Sequence, residues 1–263
     1  ADTLVQSFSE QDHSPLAPGA TYSEMRDVVI PSTASGDRFL LFVTDRFSEQ
    51  AETDESNNVL ARPITIFLPP VVSIDLESAS DTGQSASDNI TNDTEPTFAV
   101  TVNQPGLVEI DFGDDGSVDA TATATAAGTL RFTAPPLADG NLVARATFTA
   151  DVGGTDSETI TVTIDTVGPQ AIGFAPAVPF DWLQFDFSEP MTAFSILEVA
   201  SFTDPAGADR TGDLQFVSGA SGEFAGRRFT IHFADQVELG TYRLTLGAAS
   251  IFDLAGNLLD QNE

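Results

Sequence analysis

Hydrophobic and polar residues alternate along most of this chain with a period of two, the spacing of a strand with one face in a core and one in water. The stretches that carry the pattern are DRFLLFVTD (37–45), RPITIFL (62–68), TFAVTV (97–102), LVEIDF (107–112), GTLRFTA (128–134), LVARATFTA (142–150) and ETITVTID (158–165). WLQFDF (182–187), DLQFVS (213–218), RRFTIHF (227–233) and TYRLTLG (241–247) continue it. Val, Ile, Thr and Phe dominate these runs, and Gly, Pro, Asn or Asp punctuates them about every ten residues. Helical turns are expected only near Ala193–Val199 and around Ser250. The pattern predicts an all-β chain with the strand spacing of a sandwich.

Two proline-bearing joints interrupt the strands, FLPPVVSID (67–75) and IDTVGPQAIGFAP (164–176). Pro-Pro and Gly-Pro stiffen a short linker, so the chain divides into blocks 1–69, 70–168 and 169–263, arranged as beads on a stiff string. The apolar fraction, 41%, is enough for real cores. No apolar run approaches the roughly 20 residues that span a bilayer. The opening ADTLVQSFSEQDHS has neither a basic nor an apolar region of a signal peptide, and the chain reads as a piece of something longer.

Charge changes the picture most. Forty acidic residues against ten basic ones give a net charge of −30, and all ten basic residues are Arg. Such a surface repels nucleic acid and anionic membranes and attracts cations. There is no Cys, so the domains are held by packing, by metal, or by both, and the absence of Lys excludes Lys–Asn isopeptide cross-links.

Three resemblances follow from short motifs. L-x-P-G (16–19), VxIP (28–31), VTD (43–45) and ETDESNNV…PI (52–64) make residues 15–68 resemble the second half of a CARDB domain, a fibronectin-III-like module of bacterial surface proteins whose opening strands would precede Ala1. SDTG (80–83), Ser85, DNITND (88–93), Pro96 and DTVGP (165–169) make 71–168 similar to the bacterial Ig-like repeats of giant adhesins. FSEPM (187–191), LGTYRLTLGA (239–248) and IFDLAGNLLD (251–260) make 169–263 resemble a second Ig-like class of S-layer and surface proteins. Together they imply tandem immunoglobulin/fibronectin-III-like β-sandwiches of an extracellular bacterial surface protein or fibre. The partners implied are the neighbouring Ig-like domains and other copies in a fibre or surface layer.

The chemistry concentrates in SASDTGQSASDNITNDTEP (78–96), which has almost nothing apolar to bury. In the adhesin repeats this acidic segment lies at a sandwich pole beside the preceding domain's exit, and the resemblance implies Ca²⁺ held there. Ca²⁺ takes six to eight hard oxygen ligands, which Asp, Asn, Ser and carbonyl groups provide. Asp81, Asp88, Asn89 and Asp93 form the ligand pool; the alternative is that Asp and Asn serve only as turn formers and caps. At the first joint IFLPPVV offers no carboxylate between Arg62 and Asp75. The second joint has Asp165, with FDLAGNLLD opposite through Asp253, Asn257 and Asp260; a tight turn with Gly256 at positive φ explains Asp253–Asn257 equally well. DFGDDGSVDA (111–120) partly echoes an EF-type loop, but Gly113 and Ala122 stand at ligand positions, and an Asp-Gly turn explains it better. ETDESNN (52–58) reads as a solvated turn.

No catalytic constellation is legible. His13 and His232 are far apart, and no nucleophile elbow, zinc-protease, phosphate-loop or dinucleotide motif occurs. Trp182 is expected in the core and His232 in solvent. The expectation is a non-catalytic structural or adhesive segment. The alternatives are a glycan- or host-binding module, an accessory region of a secreted hydrolase, and, for the charge alone, adaptation to high salt.

Overall fold

The computed structural model describes residues 21, 23, 25–29, 36–44, 56, 58–174 and 180–260. Motifs 16–19 and 52–55, with His13, lie outside them. Two compact units emerge, Ala1–Pro69 and Pro70–Glu263. Among the described residues of the first, β1 (Gly36–Val43) and β2 (Val59–Ile66) form an antiparallel hairpin with Gly36 opposite Ile66 and Val43 opposite Val59.

The second unit contains two separate hydrophobic cores. Residues 72–164 form a two-sheet sandwich. One sheet orders β3 (Val72–Leu76), β5 (Thr97–Val102) and β8 (Gly128–Thr133). The other orders β4 (Ile90–Thr91), β10 (Thr155–Ile164), β9 (Gly140–Ala150), β6 (Gly106–Phe112) and β7 (Ala120–Ala124). Alternation does its work here: Phe98, Val100, Val108, Ile110, Ala144, Ala146, Phe148 and Val162 are fully buried between the sheets.

Residues 171–259 enclose the other core. The main sheet orders β11 (Ala171–Phe174), β12 (Phe180–Phe187), β15 (Arg228–Gln236) and β14 (Leu214–Gly219), and β13 (Val199–Thr203) pairs with β16 (Arg243–Leu246). Phe187, Phe194 and Phe229 meet edge to face at centroid distances of 5.5–5.8 Å, an arrangement the ring quadrupole favours. The expected turns are short 3₁₀ segments, Ile196–Glu198 behind a Ser195/Glu198 capping box and Ala248–Ser250, and two that the pattern did not predict, Thr211–Asp213 and Gly222–Phe224, join them.

Two expectations are corrected. Trp182 is not in the core. A bulge between Phe180 and Trp182 resets the alternation, so Phe180 is buried while Trp182 pairs across the strand with His232 on the outer face, beside Phe216. His232 stacks on Phe216 at 4.3 Å and meets Ser218 Oγ at 3.0 Å. One face of each ring is thereby covered by the other.

The second correction concerns the acidic segment. It does not lie where the chain enters the sandwich. Leu76 ends β3 opposite Phe98, whereas Val72 at the inlet faces Val102. One strand therefore crosses the whole sandwich before residue 77, and the loop 77–96 emerges at the opposite pole. There Thr163 and Asp165 donate their amides to Asn89 O and Thr91 O, which ties the loop to the module's own exit strand.

Candidate functional site at the second joint

Three chain segments meet at this pole: the acidic loop, the exit 165–169, and the turn 251–260 of the following block. Thr82 Oγ1 donates to Ala255 O (2.9 Å), Gln84 N to Leu254 O (3.4 Å) and Asn92 Nδ2 to Asn257 Oδ1 (3.2 Å). Asn257 Nδ2 in turn donates to Asp165 O (2.7 Å) and Asp260 N to Pro169 O (2.9 Å). The approach is backbone on backbone. A Cβ on Gly83 would overlap the carbonyl of Leu254, and one on Gly168 would overlap that of Leu258. Gly83 has φ +89 and Gly256 φ +93, so both positions need glycine for conformation as well as for space.

Inside this contact, Asp165, Glu189 and Asp253 each bring one carboxylate oxygen within 4.8 Å of the others. Asp253 is 1% exposed, and its two oxygens accept the Asn257 amide (2.8 Å) and Asn257 Nδ2 (2.9 Å). The Asp253–Asn257 segment is thus a tight turn and also the support of a buried carboxylate. Burial, then a side-chain hydrogen bond with Asp165, then the charges of Asp165 and Asp253, push the Glu189 carboxyl up to about 7. Asp260 lies outside this trio.

The loop residues separate by role. Asp93 is a structural cap, accepting Ser80 Oγ (2.8 Å) and Glu95 N (2.9 Å). Thr91 is fully buried and reaches Ser80 O, the Asp93 amide and Thr82 Oγ. Asn89 adopts φ +61 and donates its amide to Asp81 Oδ2 (3.2 Å). Asp88 is exposed, with Oδ1 accepting Ile90 N. Asp81 is 4% exposed; burial raises its pKa first, the Asn89 N–H opposes this, and Asp88 adds to the rise. Its Oδ1 is buried without a hydrogen-bond partner.

Sequence reasoning missed Glu189. It lies in FSEPM, which is legible only as a mark of the third block's resemblance, and nothing in its spacing relates it to residues 24 positions before it and 64 after. The 111–119 loop behaves as the turn it resembled. Asp111 accepts the Asp115 and Gly116 amides, Asp119 accepts Phe112 N, and Arg145 holds Asp114 below the usual carboxylate range. Trp182, His232 and Phe216 share the outer face of the β12–β15–β14 sheet.

All the donors at the joint are hard oxygens, and the buried, unpartnered Asp81 Oδ1 is the kind of atom a cation would satisfy. The residues present fit Ca²⁺.

Residues 68–166 match the family described as the bacterial Ig-like domain, Big_13. That range is the first sandwich of the second unit. No curated protein matches the chain. Among solved structures, a biofilm-associated protein BSP domain shares 13% identity at a TM-score of 0.22. The alignment covers 66% of this chain and 29% of that one.

Proposed function

We propose that residues 70–263 form a stiff, non-catalytic segment of a larger bacterial surface protein, in which adjacent Ig-like modules are locked at their joint and Ca²⁺ completes the lock. The first block keeps its CARDB-like reading and the third its kinship with surface-layer Ig-like modules. The observation that carries the proposal is the joint itself. Two loops dock at glycine-permitted backbone distance, and the docking gathers three carboxylates whose repulsion only a cation or a proton relieves. Ca²⁺ bridging Asp165 on one side to Glu189 and Asp253 on the other would convert that repulsion into a cross-module tie. Extracellular calcium is abundant enough for modest-affinity sites of this kind, whose dissociation constants fall in the 10⁻⁴–10⁻³ M range.

The test is thermal unfolding and small-angle scattering of the chain with chelator, with Ca²⁺, and with NaCl at matched ionic strength. A Ca²⁺-specific rise in melting temperature with a narrower distribution of shapes is expected. Equal rescue by NaCl would replace calcium with general screening of a −30 chain.

A further inference from the structure

We infer that the outer face of the β12–β15–β14 sheet binds an uncharged, extended polysaccharide, a function separate from the stiffening of the joint. A bulge turns Trp182 out of the core and into register with His232, which faces Phe216 on the next strand. Three ring-bearing side chains thus stand in one row across three strands. Phe216 is 52% exposed on the edge strand of its sheet. His232 stacks on it at 4.3 Å and 16°, and Ser218 Oγ meets His232 Nε2 at 3.0 Å. That support fixes the Phe216 ring from one side and leaves its other face to a ligand. A large apolar ring held in water is the surface that a partner's apolar face covers with gain.

The adjoining rows say which partner. Two residues along the strands, Gln184 stands opposite Thr230 and Thr230 opposite Ser218. Each of these side chains both donates and accepts hydrogen bonds. A pyranose is built to match: its ring C–H groups make an apolar face, and hydroxyls that donate and accept surround it. The aromatic row takes the first and the amide and hydroxyl row the second. From Trp182 to Phe216 the row crosses two strand spacings, about 10 Å, the length of a disaccharide. Successive sugars of an extended, β-linked chain therefore meet the two ends of the row.

Charge narrows the partner further. Arg228, in the next row on this face, is held by Asp186 through two hydrogen bonds of 2.6 Å and lies over the Phe224 ring at 3.8 Å. Its charge is neutralised within the protein, and the chain as a whole carries −30. A uronate, sulfated or phosphate-bearing polymer is repelled by such a surface. An apolar protein surface fits no better, because it would bury the Gln184 and Thr230 row without partners.

Trp182 is the only tryptophan of the chain, so its emission reports on this face alone. The test titrates the 263-residue chain with cellohexaose, chitohexaose and hexagalacturonate, following Trp182 emission with calorimetry in parallel, for wild type, Phe216→Ala and Ser218→Ala. A saturable change with at least one of the two neutral oligosaccharides is expected, and none with the uronate. Phe216→Ala should weaken binding about tenfold. Ser218→Ala, which removes a hydroxyl and the support of His232, should weaken it about threefold to tenfold. Should Phe216→Ala lose its wild-type melting temperature, Ser218→Ala decides alone. Binding of neither neutral oligosaccharide, equal binding of the uronate, or undiminished affinity in the variants would each overturn the proposal. Self-association that Phe216→Ala abolishes, without any sugar binding, would overturn it too and reassign the face to a second copy of the chain. None of these outcomes touches the joint, since both variants keep Asp165, Glu189 and Asp253.

Discussion

Replacing Glu189 with Gln isolates the electrostatics of the joint. The Glu189 carboxyl is pushed up to about 7 from an ordinary 4.5, by burial first and then by Asp165 and Asp253. A carboxyl raised in the folded state is protonated there while the unfolded chain has already ionised. Its contribution to stability is thus fully present below about pH 4.5 and is lost as pH rises through about 7. At about 1.4 kcal/mol per pH unit the loss is at most about 3–4 kcal/mol, and nearer 2 after allowing for partial exposure of the group. Gln cannot ionise, so in chelator Glu189→Gln should match wild type near pH 4.5 and exceed it by about 2 kcal/mol at pH 8. Calcium should reverse the order. Wild type gains RT ln(1 + [Ca²⁺]/Kd), about 2.7 kcal/mol at a hundredfold excess over Kd, whereas the variant has lost a ligand and gains less. Urea unfolding at pH 4.5 and pH 8, each with chelator and with Ca²⁺, gives the four free-energy differences. Curves for the two proteins that superimpose at pH 8 in chelator would refute the account of the joint.

Two further substitutions probe the docking and the loop. Gly83→Val places a branched side chain at φ +89 and against the Leu254 carbonyl, so the joint must open; scattering should show wider interdomain angles while both sandwiches keep their near-ultraviolet signatures, and an unchanged profile would contradict a close-docked joint. Thr91→Val keeps the shape of a fully buried side chain but deletes the hydroxyl that accepts Asp93 N and reaches Ser80 O. Denaturant unfolding should register a loss of about 1–3 kcal/mol, and a neutral result would mean the loop is not held by that hydroxyl.

Period-two alternation located the strands well because a half-buried strand writes its two faces directly into sequence: Phe98, Val100 and Val102 point inward exactly as every second residue must. It failed where alternation is weak or reset. ATATA (120–124) became β7 although its small side chains carry little hydrophobic contrast, and β3 lay hidden in a segment that its prolines marked as linker. Trp182 was misassigned because a bulge cannot be seen in a pattern that it merely shifts by one face.

The joint was half legible for a deeper reason. Asp165, Asp253 and Asn257 stand in motifs with strong local turn chemistry, so they could be nominated one segment at a time, and the structure brings them together. Where the 77–96 loop would sit was a different kind of question, answered by strand count and not by composition. A single strand between the inlet and the loop puts the loop at the far pole, and any even number would have put it back at the near one. The carboxylates of DNITND and the absence of an acidic exit at the first joint are then not in conflict. The loop faces the joint that does have an acidic exit, and the proposed stiffening therefore acts between the second and third blocks, where Thr82, Gly83 and Asn92 meet Leu254, Ala255 and Asn257.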